Sequence, residues 1–355
     1  MYLLARAQSL SGRPHDSLVM LRRLAEVGFI TAATTDDDFR RVRELRQWTE
    51  VEAVIGAVPR TPEVSRPTVA VPSSSEDALR IPGEVVGSAG LAYDRVSSRF
   101  VVADARLQKL IVIDEQSRHR VDLVTASSAG FYDITGLEID PRRGNLWVVS
   151  AQPAAAAPSG SPASAVHKLQ LVSGRPLDRI PVPADLQPCR LADVAVTRDG
   201  DVLLLDTIGN RVLRLRQATR TFTTVATLHV QGSTSLAAAE GRIVYVAYAS
   251  GIARVDTLTG AVKALANPRD VALDGFERIR WAGDSLVGVQ HVPDASQRVV
   301  RIRVADTRAV GIDIIDSGTA TDRSVVTVSG AEFYFLVHRL GDDADDVVIR
   351  RRPIH

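Results

Sequence analysis

Leu191-Ala192-Asp193-Val194-Ala195-Val196-Thr197-Arg198-Asp199-Gly200-Asp201-Val202-Leu203-Leu204-Leu205-Asp206-Thr207, followed by Gly209-Asn210-Arg211-Val212, is the stretch that decides the fold. A short apolar strand runs into a tight Asp-Gly turn. A second strand of about five residues then ends on a polar residue, and another turn leads into a third strand. Working outward, the same order recurs. The second strands read Phe100 to Asp104, Leu146 to Ser150, Val202 to Asp206, Val244 to Tyr248, Leu286 to Gln290 and Tyr334 to His338. Their ends step by 46, 56, 42, 42 and 48 residues, and the long step contains the low-complexity insertion Pro153 to Gly160. A period of about 40–50 residues with four strands in each repeat is the signature of propeller blades.

Later strands of the blades are visible at Lys109 to Asp114, Val212 to Leu215 and Gly251 to Asp256. After residue 323 only three strands remain, the last being Val347 to Arg351, so the segment Ile81 to Val86 is free to supply a fourth and close the ring. The expected fold is mainly β, a six-bladed β-propeller over residues 81–355. Before it lie a small α-helical module (1–57) and an extended linker (58–80) with Pro59, Pro62, Pro67, Pro72 and the run Ser73-Ser74-Ser75.

In the N-terminal module, Leu3, Leu4, Ala7 and Leu10 fall at helical spacing before Gly12-Arg13-Pro14. Asp16 can cap a second helix carrying Leu18, Leu21, Leu24, Ala25 and Val27, ending at Gly28. A third segment starts at Asp36-Asp37-Asp38 and runs through Phe39, Val42, Leu45 and Trp48. Residues 2–55 resemble a tetratricopeptide-type repeat. One such unit is too short for a solenoid, so a docking surface and a cap packed on the propeller remain alternative readings.

Composition excludes several classes. The 43 Lys and Arg are matched by 42 Asp and Glu, giving a net charge of +1 and no basic footprint for nucleic acid or anionic lipid. No stretch of about 18 apolar residues is present, so no membrane insertion is expected. The single cysteine, Cys189, has no partner for a disulfide and no Cys/His spacing for zinc. Tyr2 to Ala5 is helical in pattern without a capping residue, as in a chain that begins mid-helix. The compartment stays open: cytoplasmic as written, periplasmic or secreted if an upstream signal has been removed.

The stretch 191–212, together with Gly136 to Trp147 and Gly251 to Asp256, looks like NHL repeats. With Leu286 to Gln290, their order resembles bacterial SMP-30/gluconolactonase-like propellers over residues 81–355. That resemblance implies one divalent metal in the central channel, held by Glu, Asn and Asp. In this sequence the matching positions are Ala89, Ala192 and Ser233, none a strong oxygen ligand. The expectation is therefore no cofactor, a divalent metal such as calcium being the alternative if Asp193 enters the channel.

Inner-strand starts and second-strand ends open on one face. The former are Ala89, Thr135, Ala192, Ser233, Glu277 and Ser324; the latter, all polar, are Asp104, Ser150, Asp206, Tyr248, Gln290 and His338. A channel mouth is the default ligand site of this architecture. Glu277, the only carboxylate expected at an inner-strand start, reads either as a blade-to-blade salt bridge or as a general base with His338 as proton partner. Asp104, Asp133, Asp193, Asp206, Tyr248, Arg278, Gln290 and His291 are the candidate ligand contacts, and Asp104 and Asp206 read equally as braces for their following loops. Two functions follow: a binding propeller recognising a small molecule, protein or peptide at its mouth, or a lactone or ester hydrolase remodelled around Glu277 and His338.

Overall fold

The computed structural model describes residues 2–26, 33–57, 76–81, 88–105, 107–153, 163–267, 272–292, 297–318, 325–339 and 346–354. The chain divides into two compact units, Met1–Pro72 and Ser73–His355. Ser324, the Gly28 exit, the insertion after Pro153 and most of the expected linker lie outside the described residues.

The larger unit holds six four-stranded antiparallel sheets. Their first strands are Ser88–Asp94, Asp133–Asp140, Leu191–Val196, Ser235–Ala238, Phe276–Ala282 and Val325–Ser329, numbered here as blades 1 to 6. Each first strand touches the next around the ring, and that of blade 6 touches that of blade 1. The result is a six-bladed propeller around a central channel.

Second strands are buried on both faces, which explains their unbroken apolar runs. In blade 3, Val202 and Leu204 pack toward blade 2, while Leu203 and Leu205 pack toward blade 4. Phe100 and Val102 likewise face blade 6, and Val101 and Ala103 face blade 2. The apolar core is thus six clusters, each shared by two neighbouring blades.

The closing strand is Glu76–Ile81, in the expected place in the ring but five residues earlier than Ile81 to Val86. It pairs antiparallel with Asp346–Pro353, Leu79 opposite Ile349 and Ile81 opposite Val347. Leu79 explains the register: it is buried in the cluster between blades 6 and 1, beside Leu336 and Ile349.

The N-terminal unit contains helices at Tyr2–Leu10, Pro14–Glu26, Arg40–Arg43 and Trp48–Ala57, around Ala5, Leu21, Phe39, Val42, Trp48 and Val51. The second helix begins at Pro14, with Asp16 in its first turn rather than capping it. Asp36 caps the next segment, accepting from the Asp38 backbone N–H. The segment expected as one third helix is two, interrupted at 44–47, where the Leu45 and Trp48 amides bond three residues back rather than four.

Candidate functional site

Among the described residues four first strands begin with a β-bulge, and each bulge adds one residue at the same end of the ring. The registers skip Ala89 between Ser88 and Gly90, Thr135 between Ile134 and Gly136, Ala192 between Leu191 and Asp193, and Glu277 between Phe276 and Arg278. An extra residue has no partner across the ladder, so its backbone and side chain are available to other groups. These bulges make the mouth of the channel.

Arg278 uses three of them. From blade 5 its guanidinium crosses the channel and donates to the carbonyls of Ala89 (2.9 Å), Thr135 (2.5 Å) and Ala192 (3.4 Å) in blades 1, 2 and 3. Its Nη1 also lies 3.1 Å from Asp193 Oδ1. Asp193 is 0% exposed. Its carboxylate also accepts from Arg280 Nη1 (3.0 Å) and Nη2 (3.2 Å), Ser235 Oγ (2.5 Å) and the backbone N–H groups of Val194 and Leu236. Burial alone would raise this carboxyl, but Arg280, Arg278 and the Ser235 hydrogen bond outweigh it and hold it below the usual carboxylate range. Arg280 continues to Glu138, 3.4 Å from its Nε. Burial pushes the Glu138 carboxyl up to about 7, with Arg280 opposing the rise and Asp193 adding to it.

Above this plug is a cavity of about 440 Å³, lined by Ala89, Ile134, Thr135, Arg190, Ala192, Thr207, Ser233, Thr234, Glu277 and Arg278. The Thr135 and Thr234 hydroxyls donate to the Leu191 and Phe276 carbonyls, tying neighbouring blades together at the wall. Among the described residues the Arg190 guanidinium has no hydrogen-bond or ion-pair partner, and the buried Ser233 hydroxyl has none either. Glu277 Oε2 stands 2.9 Å from His291 Nε2, with both side chains about half exposed (49% and 47%). Gln297 Nε2 lies 3.2 Å from the same imidazole nitrogen.

The residues singled out from sequence thus divide. Glu277 and Arg278 line the cavity, and His291 joins it through Glu277. Among the described residues the imidazole beside Glu277 is that of His291. His338 lies in strand Glu332–Arg339, opposite Val347, and its side chain lies outside the described residues. Asp193 lies beneath the mouth in the plug. Asp206 accepts from the Arg190, Ile208 and Gly209 amides and pairs with Arg211, and Asp104 accepts from the Leu107 amide, so both brace loops. Gln290 is 1% exposed, its amide donating to the Ala272 and Asp274 carbonyls and accepting from Arg298. Asp133 accepts from Gln108, and Tyr248 is half-buried opposite Gly251. None of these last five lines the mouth cavity.

Sequence reading missed Arg190, Thr207, Thr234 and the Arg280–Glu138 extension. The signal for the last was available: Arg278 and Arg280 alternate on one strand, so both side chains leave the same face, toward the channel. It also missed a buried pair in blade 2, Ser150 Oγ 2.8 Å from His167 Nε2. Burial, with the Arg179 charge, pushes His167 down to about 4 against the hydrogen bond to the Ala129 carbonyl. Both side chains are enclosed, which makes the pair structural.

The residues present do not fit a channel metal. Ala89 and Ala192 bring methyl groups, their carbonyls already serve Arg278, and a dication there would face a guanidinium at contact distance. Among the described residues no group of three or more His, Cys, Asp or Glu is placed to hold a metal ion. At the opposite end of the channel a cavity of about 470 Å³ lies among turn residues including Pro141, Arg142, Arg198 and Glu240. There Arg142 and Arg143 donate to the Arg198 and Asp199 carbonyls of the next blade, so these cations are used in holding blades together.

No protein-family model matches the chain, and no curated protein matches it significantly. Solved structures do. The major allergen Mala s 1 of Malassezia sympodialis is similar at 14% identity and TM-score 0.57, over 76% of this chain and 95% of that one. The PQQ-bound aldose sugar dehydrogenase of Streptomyces coelicolor is similar at 10% and 0.55, over 79% and 98%. Virginiamycin B lyase from Staphylococcus aureus follows at 15% and 0.51, over 78% and 88%. The likeness is one of fold. No helix among the described residues is long and apolar enough to cross a membrane.

Proposed function

We propose that this propeller binds a small polar molecule in the cavity at its channel mouth. The observation that carries the reading is the cavity's construction. About 440 Å³ of space lies over a floor sealed by Arg278, with the Arg190 guanidinium, unengaged among the described residues, on the wall and the Glu277 carboxylate at the rim. A few convergent polar groups in a preformed concavity of this size suit a small ligand better than a folded partner. That the fold neighbours include a PQQ-bound dehydrogenase and a lyase supports small-molecule chemistry on this scaffold, without naming a ligand. The plug supports a site that works without a metal.

The test is a thermal-shift screen of anionic, neutral and cationic metabolites, followed by calorimetry on each hit. Binding should weaken at least tenfold in Arg190→Ala or Glu277→Ala, the loss expected when a charge-assisted hydrogen bond is removed. Hits that bind both variants unchanged would place the site elsewhere on the protein.

The Glu277–His291 contact favours a second reading, hydrolysis of a lactone or ester. Held by Glu277, the imidazole would take a proton from water attacking the carbonyl. Activity on such substrates that survives His291→Ala would remove this reading and leave binding.

A further inference from the structure

The three carbonyls that meet Arg278 belong to residues with no ladder partner. Ala89, Thr135 and Ala192 are each the extra residue of a bulge, in three different blades, and their oxygens converge with Asp193 Oδ1 on one guanidinium. Three carbonyls and a carboxylate whose charge Arg278 shares with Arg280 surround one guanidinium, a set of hard oxygen donors whose chemistry suits a cation. The oxygens come from blades 1, 2 and 3, whereas the cation comes from blade 5. The strand geometry that builds the cage is therefore separate from the side chain that fills it.

We infer that the channel contains a cation cage built from bulge carbonyls and that Arg278 is its resident cation, a permanent substitute for an exchangeable dication. An always-protonated guanidinium cannot be removed by a chelator, and its planar fork donates to several acceptors in fixed directions. Whatever the mouth binds, its floor carries a fixed positive group, and emptying the cage creates a site for cations of the same charge preference.

The experiment uses the full chain with and without Arg278→Ala. The unaltered protein should show the same melting temperature in chelator and in millimolar calcium, and no stoichiometric calcium uptake by calorimetry. Arg278→Ala leaves the Asp193 carboxylate and three carbonyls short of a donor and should melt roughly 10 °C lower. Methylguanidinium or calcium at about 10 mM should restore at least half of that loss, each saturating at one equivalent, an effect of ligand-linked stability. If the variant does not fold, its refolding yield with and without 10 mM methylguanidinium gives the same readout. Arg278→Lys, which keeps the charge but not the fork, should fall between the two. The inference is overturned if the unaltered chain takes up one calcium with a rise in melting temperature, or if the alanine variant responds to neither cation.

Discussion

Glu138 and His167 carry opposite pH dependences for the same reason, burial that penalises their charged forms. Glu138 titrates near 7 in the folded protein and near 4.5 when unfolded, so its contribution is full below about pH 4.5 and is lost as pH rises through 7. His167 titrates near 4 when folded and near 6.5 when unfolded. Its contribution is full above about pH 6.5 and is lost as pH falls through 4. Between these limits the two slopes offset each other. Glu138→Gln should therefore be more stable than the parent above pH 7, by about 1–3 kcal/mol, and the gain should vanish near pH 4.5. Urea midpoints measured from pH 4 to 8 give the answer; parallel curves would mean that Glu138 ionises normally. Gly136 shows how tightly the plug is walled, since a Cβ there would lie 2.9 Å from Asp193 Oδ1 and 3.1 Å from its Cα. Gly136→Ala should cost about 1–3 kcal/mol, read as a lower urea midpoint at unchanged slope.

At the scale of the strand, the sequence made the second strands easy to read and the first strands hard. Val202 to Asp206 shows its nature in five letters, because both faces are buried and the pattern is continuous. The bulges leave no such mark. Ala89, Thr135, Ala192 and Glu277 were legible as mouth positions, but a period-two pattern carries no sign of the skipped register, and hence none of the convergent carbonyls. Arg278 was therefore visible as a candidate contact but not as the group that seals the channel. The closing strand was misplaced by five residues because its position depends on Leu79 meeting a cluster contributed by the far end of the chain. Leu79→Ser should lower stability by about 2–4 kcal/mol, whereas Val96→Ser, at a position 80% exposed, should leave it within error. Equal midpoints for both variants would show that ring closure does not depend on this residue.

Across the larger unit, no blade owns a core, since every apolar cluster belongs to two blades. Amide exchange followed by mass spectrometry should give the second strands of all six blades a common opening free energy, as expected when neighbours cannot separate independently. A blade that exchanges several kcal/mol more easily would break that expectation. The six-fold count was legible from spacing alone, while the chemistry of the mouth was not. Glu277 meets His291 across two paired strands only because it is the bulge residue there, and Arg190 reaches the cavity from the loop before its strand. Ring closure also has a consequence for the chain while it is being made. Glu76–Ile81 leaves the ribosome about 265 residues before its partner Asp346–Pro353. At about 5–20 residues per second, that is a wait of roughly ten seconds to a minute. Throughout that interval the Glu76–Ile81 strand has an unpaired edge and blade 1 an uncovered apolar face, so the nascent propeller is most exposed to aggregation and to chaperones just before Asp346–Pro353 emerges.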